Sequence, residues 1–361
     1  MRRARDLAML CLRRRTTAPT GRKGLNVLGW QGYLRSREQA LAAEGARTKS
    51  ADAAAVGLEY LGLSGGTHDV APLIAAATTA LTDAESFFSS AHPPSFQRQG
   101  LMLSFDSPGG GEGQNSVARA QIHESRRTDR GVVLLPYWNA ARADARPFGK
   151  LLARCGITCV QLSLPYHDER CTPGVGFARE LACENLGLTI QANRQAVLDA
   201  RACVSWLERE GYARIGIVGV SIGASIASIV AAVDARVRAA ALLLMADDFA
   251  EVVWTGNATR HVRSSLERTF SREDVRTAWR IISPAAHAVR LSKRLDRLLI
   301  VSGALDTVFP SVLTRTYVER LRELGLQATW VRYGCGHYTL GMPIYAARCF
   351  LRTLAHLRVC L

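Results

Sequence analysis

No run of apolar residues in this chain reaches the ~18 that a membrane-spanning helix needs, so a helical membrane protein is not expected. No C-x-x-C pair occurs. The nine cysteines (Cys11, Cys155, Cys159, Cys171, Cys183, Cys203, Cys335, Cys349 and Cys360) are odd in number and mostly sit among apolar residues. That usage argues against a disulfide framework and a zinc site and suits buried thiols in a reducing compartment, so the expected location is the cytoplasm. Nucleic-acid-binding motifs are also missing, although the formal net charge is +15. The charge is unevenly spread: residues 1–49 hold twelve Lys and Arg against three Asp and Glu, nine of the fifteen excess charges. The remaining excess is ordinary for a chain of this size, and no nucleic-acid partner is expected.

The chain divides into three parts. Residues 1–50 are basic and acid-poor and are expected to form a poorly ordered extension. Their apolar stretch Leu7 to Leu12 spans six residues, short for the 7–15 of a signal peptide. Organelle targeting and weak contact with an anionic membrane surface are the alternative roles for this segment. Residues 51–95 are alanine-rich, and Ala71 to Leu81 with Phe87 and Phe88 predicts a helix that packs on the later domain. From residue 96 to 361 a single domain is expected. It opens with a hairpin, Leu101 to Phe105 and Val117 to Ile122, joined by a flexible turn over Ser107–Asn115. Strands are then predicted at Gly131–Pro136, Ile157–Leu164, Ile215–Val220, Val237–Ala246, Leu298–Ser302 and Ala328–Tyr333. Helices are predicted at Phe148–Cys155, Leu186–Glu210, after Ser221, at Ser311–Leu324 and at Ile344–Leu357. Strands apolar on both faces and alternating with helices mean an α/β fold, with a mainly parallel central sheet and helices on both faces. Residues 247–296 break the alternation. They are too long for a simple crossover and predict a helical cap over the sheet's carboxyl edge.

Gly219-Val220-Ser221-Ile222-Gly223 stands between a predicted strand and a predicted helix. It fits G-x-S-x-G, the sharp turn that projects a serine hydroxyl from a sheet edge. The pattern alone is weak, and Gly62-Leu63-Ser64-Gly65-Gly66 matches it as well. No strand-rich segment precedes Ser64, so Ser221 is the candidate nucleophile. A serine needs a base, and the base needs an acceptor that sets its tautomer. Both occur at later strand ends in the order serine, acid, histidine: Asp306 in Ser-Gly-Ala-Leu-Asp306-Thr, and His337 in Tyr-Gly-Cys-Gly-His337-Tyr. Asp247 and Asp248, one strand earlier, are rivals for the acid. An oxyanion hole would take the N–H of Ile222 and one from Tyr137-Trp138-Asn139, with Trp138 preferred to Tyr137. Asn139 is expected to brace that loop or to meet substrate. His167 and Asp168, in the loop after the second parallel strand, would either contact substrate or brace the rim. Two such side chains do not make a metal site, and neither metal nor cofactor is expected.

With these residues placed, the chain resembles the α/β-hydrolase superfamily, and within it a bacterial group related to the α/β-hydrolase domain-containing 18 branch. The likeness runs from about residue 100 to the C-terminus. It rests on Leu135-Pro-Tyr-Trp-Asn139, Leu164-Pro-Tyr-His-Asp168, Asn185-Leu-Gly-Leu-Thr-Ile190, Gly216-Ile-Val-Gly-Val-Ser-Ile-Gly223, Val253-Trp-Thr-Gly256, Thr259-Arg-His-Val-Arg263 and Cys335-Gly-His-Tyr-Thr-Leu-Gly341. It implies a serine hydrolase with Ser221 as nucleophile and His337 as base. The expected reaction is cleavage of a carboxylic ester, small or lipid-like, through an acyl-enzyme, with Trp254 and other cap residues lining the acyl pocket. Acyl transfer on the same triad and a non-catalytic binding role for the fold are the alternatives.

Overall fold

A computed structural model describes residues 27–46, 51–66, 69–91, 94–126, 128–172, 174 and 177–361. The stretch Leu7 to Leu12 and residues 47–50 of the basic segment lie outside the described residues. The strands are β1 (Phe96–Gln99), β2 (Met102–Asp106), β3 (Val117–His123), β4 (Arg130–Leu135), β5 (Thr158–Ser163), β6 (Arg214–Val220), β7 (Val237–Leu243), β8 (Arg297–Gly303) and β9 (Gln327–Tyr333). The longer helices are α1 (Val27–Ala46), α2 (Ala71–Thr82), α3 (Arg142–Arg154), α4 (Leu186–Arg209) and α5 (Ile222–Val233). After them come α6 (Phe249–Thr255), α7 (Arg260–Leu266), α8 (Arg272–Ala278), α9 (Ala288–Arg294), α10 (Ser311–Glu323) and α11 (Pro343–Cys360).

The strands form one nine-stranded sheet in the order β1-β2-β3-β5-β4-β6-β7-β8-β9. From β5 to β9 neighbours run parallel, while β1, β2 and β3 pair antiparallel at one edge. The β2–β3 pairing is the expected hairpin. Alternate residues of the central strands point to opposite faces, and each face has its own core. Val133, Leu135, Ile217 and Leu242 join Ile190, Val197 and Ile226 of α4 and α5. Val132, Leu134, Val218 and Leu243 join Leu152 of α3 and Phe350 and Leu357 of α11. This two-sided burial is why the strands read as continuous apolar runs. Helix α5 is buried along its whole length, and its alanines let β6, α4 and α9 approach closely. The segment 247–296 is helical. Its last helix, α9, packs on α5 as an ordinary layer helix, and α8 packs on α2.

Two expectations are corrected. The extension 1–50 is not poorly ordered throughout, because residues 27–46 form helix α1. Trp30, Leu34, Glu38 and Ala42, spaced four apart along one face, are buried or half-buried. A carboxylate in the middle of that stripe hides its apolar character from a periodicity reading. The turn over Ser107–Asn115 is pinned to α4 and is not a free loop. The Ser107 hydroxyl donates to Asp199 Oδ1 at 2.6 Å, and Asn115 Nδ2 donates to Gln195 Oε1 at 3.0 Å.

Asp199 also pairs with Arg170 at 2.8 Å, both side chains being 0% exposed. Arg170 in turn donates to the carbonyls of Ser163 and Asn115, each at 3.0 Å. One buried ion pair thus ties α4 to the 107–115 turn and to the loop after β5. Removing one partner of such a pair leaves the other charge uncompensated. Asp199→Ala is therefore expected to cost about 3–5 kcal/mol in chemical denaturation; a loss under about 1 kcal/mol would show that the pair does not hold these segments.

Candidate active site

Ser221 sits between β6 and α5 with φ 57° and ψ −123°, a backbone region that costs a non-glycine residue about 1–3 kcal/mol. Close packing holds it there. A Cβ at Gly219 would lie 2.2 Å from the Gly223 carbonyl oxygen, and one at Gly223 would lie 2.4 Å from that of Pro136. The motif glycines are thus required by contact between strand, helix and the end of β4. The Ser221 N–H donates to the Leu243 carbonyl at 2.8 Å, which ties the turn to β7. Ser64, by contrast, is exposed ahead of α2, and among the described residues no strand precedes it.

Three strand ends bring Ser221, His337 and Asp306 together. Ser221 Oγ lies 2.9 Å from His337 Nε2, and His337 Nδ1 lies 2.9 Å from Asp306 Oδ2. The other Asp306 oxygen accepts the N–H groups of Val308 at 2.9 Å and Phe309 at 2.7 Å, which fixes the carboxylate's orientation. The Asp306 side chain is 1% exposed and that of His337 11%. Burial of His337 favours the neutral ring, but the charge and hydrogen bond of Asp306, joined by the charge of Glu38, outweigh it. The net shift is above the ordinary histidine value. The carboxylate bonded to His337 is that of Asp306, and Asp247 and Asp248 have other surroundings. Burial, then the charge of Asp248, pushes the Asp247 carboxyl up to about 7. Asp248 caps α6 through the Glu251 N–H and pairs with Arg276 at 3.0 Å.

The loop after β4 lies against the elbow, as the closeness of Pro136 to Gly223 shows. Asn139 has a left-handed φ of 62°, and its N–H donates to His167 Nε2 at 2.9 Å. The other ring nitrogen, Nδ1, therefore carries the proton and donates to the Pro165 carbonyl at 2.8 Å. Burial lowers the His167 pKa to about 4, which keeps the ring neutral in this role. Asn139 Oδ1 accepts the Ala178 N–H at 2.7 Å, and Trp138 Nε1 donates to the Ala178 carbonyl at 2.5 Å. Asp168 accepts from the Arg142 N–H at 2.8 Å and the Ser163 hydroxyl at 2.7 Å. Asn139, His167 and Asp168 thus brace the loops around the site. Tyr137 is turned outward, 39% exposed, with its hydroxyl on Asp144 at 3.0 Å. Ile222 opens α5, where first-turn N–H groups have no partner within the helix.

Trp254 is buried in the larger core, the one against which Trp138 packs. The cap residues that meet the acid loop are Val252 and Ala258, which cluster with Val308 and Phe309, and Tyr338 packs against that cluster. Positions 252 and 254 are about 200° apart around a helix, so one faces the loop and the other the core. The Phe309 ring lies 5.0 Å from that of His337. One residue that sequence reasoning missed also belongs to this neighbourhood. Glu38 of α1 is fully buried against Tyr338 and Thr339, beside His337. Its only local signal is Gly336, where a Cβ would lie 2.2 Å from Glu38 Cδ.

Residues 142–296 match the family described as Alpha/beta hydrolase domain containing 18. The matched stretch includes the serine turn and the cap and stops before β8, Asp306 and His337. No curated protein sequence matches the chain. Among solved structures, the acylaminoacyl peptidase of Pyrococcus horikoshii superposes with a TM-score of 0.55 at 12% identity, over 75% of this chain and 42% of that one. A puromycin-hydrolysing peptidase of Mycobacterium tuberculosis superposes with a TM-score of 0.55 at 16% identity, over 74% and 39%. Acetyl xylan esterase 1 of a Thermoanaerobacterium species gives 0.54 at 16% identity, over 83% and 97%. The chain thus spans about two fifths of the length of the two peptidases. At these identities the likeness is one of fold. The sheet order, the strained serine turn and these matches together give the chain an α/β-hydrolase fold, and over residues 142–296 it is similar to the family Alpha/beta hydrolase domain containing 18.

Proposed function

We propose that the protein is a serine hydrolase that cleaves a carboxylic ester through an acyl-enzyme on Ser221. The observation that carries this reading is the continuous hydrogen-bonded line from Ser221 Oγ through His337 to Asp306, with both links at 2.9 Å. Ser221 Oγ attacks the ester carbonyl carbon as its proton passes to His337 Nε2. Asp306 holds the proton on Nδ1 and stabilises the imidazolium. The tetrahedral oxyanion is held by the N–H of Ile222 and by one from the braced loop 137–139, Trp138 in preference to Tyr137. His337 then protonates the leaving alkoxide as the C–O bond breaks. Water, deprotonated by the same ring, attacks the acyl-enzyme and frees the acid and Ser221. The apolar side chains of Val252, Phe309 and Tyr338 favour an apolar ester group, small or lipid-like. The absence of a disulfide among the described cysteines suits a cytoplasmic location.

Steady-state hydrolysis of a panel of p-nitrophenyl esters tests the reading. Ser221→Ala is expected to reduce kcat/KM by about ten-thousandfold, with Ser64→Ala at the wild-type level. Equal activity in wild type and Ser221→Ala would refute it. The pH profile is a second check. His337 accepts the serine proton only when neutral, so activity is full above its pKa and is lost as pH falls through it. Because that pKa is raised, the acid limb of kcat/KM is expected above pH 6.5; a limb below that value would contradict the electrostatic description. His167→Ala should lower kcat about tenfold to a hundredfold for every ester with little change in KM, because it loosens the oxyanion loop. A loss confined to particular esters would instead place His167 on the substrate.

A further inference from the structure

The carboxylate of Glu38 has no place in the chemistry above, yet it is 0% exposed and lies under the loop that carries His337. Its Oε1 accepts the Tyr338 N–H at 3.1 Å. Its Oε2 accepts the Thr339 N–H at 3.1 Å and the Thr339 hydroxyl at 3.1 Å. The Gly336 N–H donates to the same hydroxyl at 2.7 Å, so the hydroxyl hydrogen points at Glu38. Every polar group on this carboxylate is therefore a donor, the environment of an ionised acid. Gly336 is matched to it, since any Cβ there would overlap the carboxylate.

The helix that delivers Glu38 is anchored on either side of it. Leu34, one turn earlier, is buried with Cys335 and Leu340. Trp30 Nε1 donates to the Tyr345 hydroxyl at 3.2 Å, and that hydroxyl donates to the Gly334 carbonyl at 3.3 Å. α1 also packs on the cap turn Asn257–Thr259. A charge buried this deeply is costly unless it is compensated, and an apolar residue would dock the same helix without that cost.

We propose that Glu38 is a positioning residue of the active site: supplied by a helix outside the α/β domain, it clamps the His337 loop and presents negative charge to the imidazolium formed in each cycle. This rests on the triad assignment above. Among the described residues, the titratable groups around the carboxylate are His337, Asp306, Tyr338 and Cys335. Burial pushes Tyr338 and Cys335 up to about 12, so both are neutral where His337 titrates. Burial also raises Glu38 itself, against the lowering effect of its hydrogen bonds to Tyr338 and Thr339 and of the His337 charge. The charges of Asp306 and Glu38 both act to raise the pKa of the ring.

The test tracks the His337 ring by NMR in the full chain, with His337→Ala for assignment, alongside ester hydrolysis. In Glu38→Gln the His337 midpoint is expected to move to lower pH, and kcat to fall about tenfold with KM little changed. Glu38→Asp, which keeps a carboxylate, should titrate between wild type and the Gln variant. Leu34→Ala, which loosens the same helix without removing charge, should lower Tm and leave the midpoint in place. A wild-type midpoint in a folded Glu38→Gln protein would overturn the proposal, as would a Leu34→Ala midpoint that moves as far as that of Glu38→Gln. Should Glu38→Gln fail to fold, Glu38→Asp decides alone: a lowered midpoint supports the proposal and an unchanged one overturns it. The titration needs no turnover, so absence of esterase activity would count against the hydrolase reading and not against the link between Glu38 and His337.

Discussion

The turn at Ser221 depends on three pieces of backbone meeting without side chains between them. The end of β4, the end of β6 and the first turn of α5 approach so closely that a methyl group at Gly219 or Gly223 would overlap a carbonyl or the helix backbone. That contact holds Ser221 in a conformation it would not adopt alone. The parallel sheet then places Asp306 and His337 beyond the ends of β8 and β9, on the same edge as the serine. The hydrogen-bonded line among the three residues results from that placement.

Buried polar groups stiffen the rim on both sides. On one side, the Arg170–Asp199 pair holds the loop after β5, which carries His167 against the Asn139 N–H and so fixes the loop after β4. On the other, Glu38 holds the loop that carries His337. Such groups are costly to bury, and an apolar core could have served stability as well. Their common effect is on geometry: each gives one orientation to a loop that lies within reach of the serine. Preorganisation of this kind is what a reaction that develops charge at two points, the oxyanion and the imidazolium, requires.

Much of the fold was legible because the signals were local. The apolar strands β4 to β9 and the helices between them can be read from runs that a two-sided sheet demands, and the serine turn from a motif in its proper strand–turn–helix setting. The order of serine, acid and histidine needed only strand ends and their loops. The features that escaped depend on distant contacts. Helix α1 carries a charge in its buried stripe, so periodicity alone could not reveal it, and its partner lies some three hundred residues away. The stretch over Ser107–Asn115, rich in glycine, reads as a flexible turn because its restraint comes from Asp199 and Gln195 on α4. Trp254, as an apolar residue of the cap, reads as part of the lining of an acyl pocket. Its helix turns it into the core and leaves Val252 beside the acid loop.

The central claim is that one serine, held at the elbow and hydrogen-bonded to His337, is chemically activated. Reaction of the full chain with a fluorophosphonate, read out by intact mass and peptide mapping, measures that directly. One adduct per chain on Ser221, formed faster as pH rises through the His337 titration, is the expected result. Unreacted protein, or an adduct spread over other serines such as Ser64, would contradict it.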